Sequence, residues 1–222
     1  MTLLAALLAI ASLAFAAYSS RGGGKPLVLA LTLLCFGVAG INPLVEAVVF
    51  EVMPIHDVPL ALLRHLILSC AASLAIVAAL RKWVPGERVQ LQWTALRVTG
   101  AVISYVILYV VAGAFVYPFV KEFYATRTLP PLSSLIALQV IRGLLYALYA
   151  RPYLQLAPRH PALVLASVYS VIGGVALLLA SDNPYMPREV RMPHLVEVGV
   201  SNFLFGLITG KLLALRNPAP AR

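Results

Sequence analysis

The 222-residue chain reads as an all-α integral membrane protein, a bundle of about seven transmembrane helices. Three observations predict this. Hydrophobic residues make up 61% of the chain and charged residues only 11%, whereas an ordinary soluble domain is roughly half apolar and a quarter charged. Mean hydropathy is +0.92, which also excludes a disordered chain. The apolar residues fall into seven stretches near the roughly 20 residues that a membrane helix needs.

The stretches span roughly 2–18, 26–50, 58–80, 94–120, 131–150, 161–181 and 193–215, one transmembrane domain over residues 1–222. The first ends in Ala14-Phe15-Ala16, a small-x-small pattern like a signal-peptide cleavage site. No Lys or Arg precedes it, and Arg21 and Lys25 follow it, so a retained helix is expected. Arg21-Gly22-Gly23-Gly24-Lys25-Pro26 separates the first two spans, and Arg81-Lys82-Trp83-Val84-Pro85-Gly86 follows the third. Pro130-Pro131 opens the fifth, and Asn183-Pro184 through Pro193 bridges the last two. Glycine and proline interrupt helices, so these are natural turns. Segments one to three and five to seven show no convincing internal repeat.

Charge sets the expected orientation. Arg21, Lys25, Arg81, Lys82, Arg88, Arg97, Arg151, Arg159, Lys211, Arg216 and Arg222 fall on one side, while Lys121, Arg127, Arg188 and Arg191 fall on the other. Positive loops stay cytoplasmic, which places the N-terminus outside and the C-terminus inside. Asp57, Glu122, Asp182 and Glu189 on the outer side agree, with Glu87 alone inside. The net charge of +9 lies between apolar runs, so anionic lipid on the cytoplasmic side is the expected partner, and nucleic acid is not. Short loops and this bias fit a bacterial inner (plasma) membrane. Cys35 and Cys70 lie inside apolar segments and suggest no disulfide framework.

The informative residues are ionisable groups inside spans, each costing about 2.5–3.5 kcal/mol near a helix centre. They are Glu46, Arg64, Arg142 and Glu197, joined by His65, Asn42, Gln139 and Asn202. At about 1.5 Å of rise per residue, Glu46 and Glu197 lie about 10 Å toward the outside and Arg64 and His65 about 6–8 Å. Asn42, Gln139 and Asn202 lie about 3–5 Å out, and Arg142 near the centre. These eight residues are the candidate substrate-binding set. Asn42-x-x-x-Glu46 and Glu197-x-x-x-x-Asn202 each keep a carboxylate and an amide near one helical face. Pro43 beside Asn42 frees a backbone carbonyl and permits a kink. Two Glu and two Arg balance in charge. A closed ion-pair network that only holds helices together accounts for the same residues.

Three chemistries compete for this cluster. The first is a polar pocket in the outer half of the bilayer that binds or transports a small polar or lipid-like substrate, with arginine forks suited to phosphate or carboxylate. The second is an intramembrane metal-dependent hydrolase. His194-x-x-Glu197 with Glu46 and His65 has the ligand types of a zinc site, making zinc the one cofactor suggested. The third is a non-catalytic subunit of a larger complex. Ser201, Ser69 and Cys70 form no recognisable nucleophile motif. Lys211 is too near the cytoplasmic end to hold a mid-membrane chromophore. Tyr105 and Tyr109, spaced i, i+4, face the same cavity or the core, while Tyr117, Tyr124, Tyr153, Tyr185, Trp83 and Trp93 fit interface belts. Gly206-x-x-x-Gly210 fits close helix packing, inside the bundle or in a homo-oligomer.

Overall fold

The computed structural model describes residues 3–51, 53–125, 129–179 and 187–216. Arg127, Asp182, Asn183-Pro184, Tyr185 and Arg222 lie outside the described residues. Seven helices follow the predicted order: α1 Leu3–Ser19, α2 Gly24–Val49, α3 Ile55–Ala79, α4 Ala95–Ala125, α5 Leu132–Leu154, α6 Pro161–Leu179 and α7 Arg188–Leu213. Six are long and apolar enough to cross a membrane, and α1 is a shorter apolar helix of 17 residues. No strand forms among the described residues; Leu91 and Arg216 make one isolated bridge. The chain is an all-α membrane bundle.

Helix ends differ from the sequence expectation where proline was taken as a boundary. α7 begins five residues early and carries Pro193 inside it, and α5 runs through Pro152. Packed membrane helices tolerate proline because neighbours satisfy the freed backbone groups. α4 continues past Pro118 to Ala125. Its 31 residues span about 46 Å, more than the hydrocarbon core, so one end projects or the helix tilts.

α2 and α6 are not uniform helices. Phe36–Ile41 and Val168–Val175 are wound as π-helix, and the two stretches cross at the bundle centre. Gly173 permits the crossing, since a Cβ there would lie 2.8 Å from Val38 Cγ1. π-turns shift the backbone register and frequently mark functional sites. α6 packs on α7, α1 and α2, while α4 packs on α5 and α7. α3 sits at the edge, with the Ser69–Ser73–Ile76 face turned inward to α2 and α1.

α6 and α7 approach each other backbone to backbone. Gly206 and Gly210 lie against the backbone of Ala166 and Ala162. The small-residue motif of α7 is therefore used within the bundle, against Ala162-x-x-x-Ala166 of α6.

The end carrying most of the basic loops, here termed inner, is laced shut by backbone bonds. Arg21 and Gly22 N–H groups donate to Leu156 O at 3.1 and 3.0 Å, and Arg159 N donates to Ser19 O at 2.8 Å. Val89 N donates to Gln155 O at 2.9 Å, and Gln92 N to Leu215 O at 2.8 Å. Glu87 takes Arg21 at 3.3 Å and Arg216 at 3.5 Å. The Lys82 ammonium donates to Ala17 O at 2.8 Å, Tyr18 O at 3.3 Å and Ser20 O, closing the orphan carbonyls at the end of α1. Burial, with the Arg159 charge nearby, lowers the Lys82 amine from its usual value. Lys82→Met should lower stability by about 1–3 kcal/mol, since it strands these carbonyls. A drop in detergent melting temperature with an unchanged polar cluster would bear this out.

Candidate functional site

The site is best described from the outer surface inward. At the outer ends of α4 and α7, Tyr124 Oη lies 3.0 Å from His194 Nε2, and His194 Nδ1 lies 2.5 Å from Glu197 Oε2. Glu197 is nearly buried, with 9% of its side chain exposed. Its other oxygen faces Gly113 of α4, where a Cβ would meet nothing else within 4 Å. A gap therefore adjoins the carboxylate. Tyr109 lies within Coulombic reach of Glu46, Arg142, Glu197 and Tyr124, and so links this group to the next.

The second group is a buried ion pair. Arg142 Nη1 of α5 is 2.8 Å from Glu46 Oε1 of α2 and 3.0 Å from Gln139 Oε1. The guanidinium lies 5.7 Å from the Tyr105 ring centroid. α2 and α5 run antiparallel, so Asn42 falls one turn inward of Glu46 as Tyr146 falls one turn inward of Arg142.

Several polar atoms of this group have no partner. They are both amide atoms of Asn42, Gln139 Nε2 and Arg142 Nε, on side chains that are almost completely buried, while the Tyr146 hydroxyl sits between Arg142 and Asn202. Buried polar groups are normally hydrogen-bonded, and each orphan costs about 1–3 kcal/mol. Four such atoms lie around this one ion pair, where water or a ligand would complete them.

Beneath lies an aromatic floor. Tyr146 and Tyr169 rings are 4.6 Å apart, Tyr105 and Phe205 4.8 Å, and Tyr169 and Phe205 5.4 Å. The Tyr169 hydroxyl donates to Tyr146 O at 2.8 Å. Asn202 Nδ2 donates to Tyr169 O at 3.2 Å, a carbonyl of the π-helical stretch. The floor is packed solid, and the small-residue contact of α6 and α7 continues below it.

The structure gathers Glu46, Arg142 and Gln139 directly, with Asn42 and Asn202 on the same inward-facing layers. Glu197 joins through Tyr109. Two predicted residues lie elsewhere. Arg64 is exposed on α3 and has no partner among the described residues. It stands about 100° around the helix from the line His65–Ser69–Ser73 that faces the bundle. His65 is half-buried, with its Cβ 3.0 Å from the Cβ position of Gly40. Hence His65, His194, Glu197 and Glu46 do not converge: no group of three or more His, Cys, Asp or Glu side chains comes together among the described residues. His194 gives one ring nitrogen to Glu197 and the other to Tyr124, which leaves neither turned toward Glu46.

Tyr124, Tyr146, Tyr169, Phe205 and Gly113 were not anticipated as site residues. One signal was available: Tyr105, Tyr109, Gly113 and Tyr124 fall on one slowly drifting face of α4. Arg191 was expected in an outer loop and is instead buried in the first turn of α7. Two surface cavities of about 350 and 210 Å³ lie at the inner ends, the first beside Lys211 and His160 and the second beside Arg88 and Gln155; neither is lined by a residue of the polar cluster. Comparison with protein-family models, with curated proteins and with solved structures finds no match to this chain. Function is therefore argued from the site alone.

Proposed function

We propose that this integral membrane protein binds a small polar or lipid-like solute at the Glu46–Arg142 layer, entering from the outer side, and moves it through the bundle. The observation that carries this reading is the set of orphan polar atoms on Asn42, Gln139 and Arg142 around one partly buried ion pair. A network that only holds helices together gains nothing from unpaired donors, because each one destabilises the fold. The laced inner end and the gap beside Glu197 support access from the outside. The N-terminus is outside, the membrane is a bacterial inner membrane, and anionic lipids lie against the basic inner loops. No surface here calls for nucleic acid.

The test is a search for the bound solute. Detergent-purified protein is denatured and its released small molecules and lipids are compared between wild type and Arg142→Gln by mass spectrometry. Wild type should release a species, near one per chain, that Arg142→Gln lacks. Identical contents from two folded proteins would overturn the reading.

The Tyr124–His194–Glu197 chain supports a second reading, an intramembrane enzyme with His194 as general base. A carboxylate on one ring nitrogen and a hydroxyl on the other is the arrangement that orients and uses an imidazole base. It needs no metal. Loss of turnover in His194→Ala without loss of solute binding would favour it over transport.

A further inference from the structure

The two halves of the buried ion pair are not equivalent. Arg142 is the fixed half, with 8% of its side chain exposed, tied to Gln139 on its own helix and set against the Tyr105 ring. Glu46 is the more exposed half, at 32%, and among the described residues it pairs with Arg142. The bond between them uses one guanidinium nitrogen, and Arg142 Nε has no acceptor. Gln139 Nε2 and Asn42 Nδ2 are further donors without acceptors, against one unpaired acceptor, Asn42 Oδ1. The layer thus holds an excess of donors around a cation whose present anion sits at its open edge. An incoming group that supplies acceptors, carries negative charge and matches a guanidinium fork is a carboxylate or similar oxyanion.

Charge balance then dictates a second event. The Arg142–Glu46 pair is neutral as it stands. A carboxylate arriving alone would leave two anions to one cation in a water-poor layer, which the interior does not tolerate. The groups facing Arg142 are Glu46 from α2, Tyr105 and Tyr109 from α4 and Tyr146 from its own helix, with Glu197 of α7 acting on Tyr109. None of these supplies a second positive charge, and His65 of α3, packed against Gly40 of α2, makes no ion pair with Glu46 among the described residues.

We infer that the site takes a solute carboxylate onto Arg142 in exchange for Glu46, and that Glu46 takes up one proton as it is displaced. This rests on the reading of the site as solute-binding and names its substrate class. The step balances: the solute enters as its anion, one proton enters from the outer water and forms an O–H bond on Glu46, and no other covalent bond changes. The layer is neutral before and after. Uptake of a monoanion with one proton carries no net charge across the outer half of the membrane.

The test uses acetate as the probe. Glu46→Gln mimics the protonated, displaced carboxyl and leaves Arg142 without an anion. Melting temperature is followed in detergent at fixed pH as acetate replaces chloride at constant ionic strength. Glu46→Gln should gain roughly 5–10 °C at acetate about 100-fold above half-saturation. The Glu46→Gln/Arg142→Met double variant should not respond. In weakly buffered solution, wild type should take up one proton per acetate bound and Glu46→Gln none. A Glu46→Gln protein indifferent to acetate, or a double variant that responds equally, would overturn the inference. If Glu46→Gln does not fold in any anion, the wild-type proton count decides, and binding without proton uptake refutes the exchange. Recovery of a bound cation from wild type would refute the carboxylate while leaving the solute-binding reading intact.

Discussion

Gly206→Val should leave little or no folded protein, and Gly210→Val should behave similarly. A Cβ at Gly206 would run into Ala166 Cα and N and lie 2.5 Å from Leu165 C; one at Gly210 would lie 2.8 Å from Pro161 O and 2.6 Å from Ala162 N. These are backbone atoms, so no side chain can turn aside. α6 and α7 must separate, and with them the π-helical stretch that carries the Tyr169 carbonyl bound by Asn202. Overpacking of a core typically costs about 1–3 kcal/mol, and a backbone collision belongs at or above the top of that range. Size-exclusion profiles and melting in detergent measure it. Gly113→Ala is the control, because its nearest neighbour is Glu197 Oε1 at 3.8 Å, an ordinary contact.

The second large effect concerns the ion pair itself. Arg142→Met should destabilise by about 1–3 kcal/mol, below the cost of stranding a fully buried charge, because Glu46 keeps about a third of its side chain exposed. Replacing both partners, as Glu46→Met/Arg142→Met, should restore most of that loss, because apolar packing often equals a buried pair in stability. The double variant should therefore fold and yet release no bound solute. A double variant that stays as unstable as Arg142→Met would mean that the pair is needed for the fold, and a solute role would lose its main support.

Much of this site was legible in the sequence because charge in an apolar span is expensive. Glu46 and Arg142 stood out on cost alone, with Gln139 on the same face as Arg142, but the estimated depths set Glu46 about 10 Å outward of Arg142 and did not pair them. The same logic selected Arg64, which the fold sets apart by rotation: one residue from His65 means about 100° around α3, enough to face away from the bundle. His65 faces the bundle and packs against Gly40. The aromatic floor was hidden because Tyr146, Tyr169 and Phe205 look like any other large side chains in a membrane helix. The two π-helical stretches were hidden too, because an i to i+5 register is selected by packing between helices and leaves little local trace. Gly206 and Gly210 announced a close contact but not their partner. Ala162 and Ala166 carry the complementary spacing, which two-sided inspection of the spans would have matched.

The inner seal was illegible for a further reason. Short basic loops predict orientation, but the bonds from Arg21, Gly22, Val89 and Gln92 to distant carbonyls depend on where each helix ends. On the proposed reading, the laced inner end and the packed aromatic floor leave a solute at Glu46 and Arg142 the outer surface as its open side.

Outer access is the central claim, and cysteine accessibility tests it most directly. Cys35 and Cys70 are replaced by alanine, and Gly113→Cys places a thiol in the gap beside Glu197. Right-side-out and inverted membrane vesicles are then treated with a membrane-impermeant thiol reagent. Labelling from the outer face and not from the inner face is the expected result. A folded Gly113→Cys protein labelled from the inner face alone, or inert from both while its denatured form reacts, would contradict an outward-opening polar site.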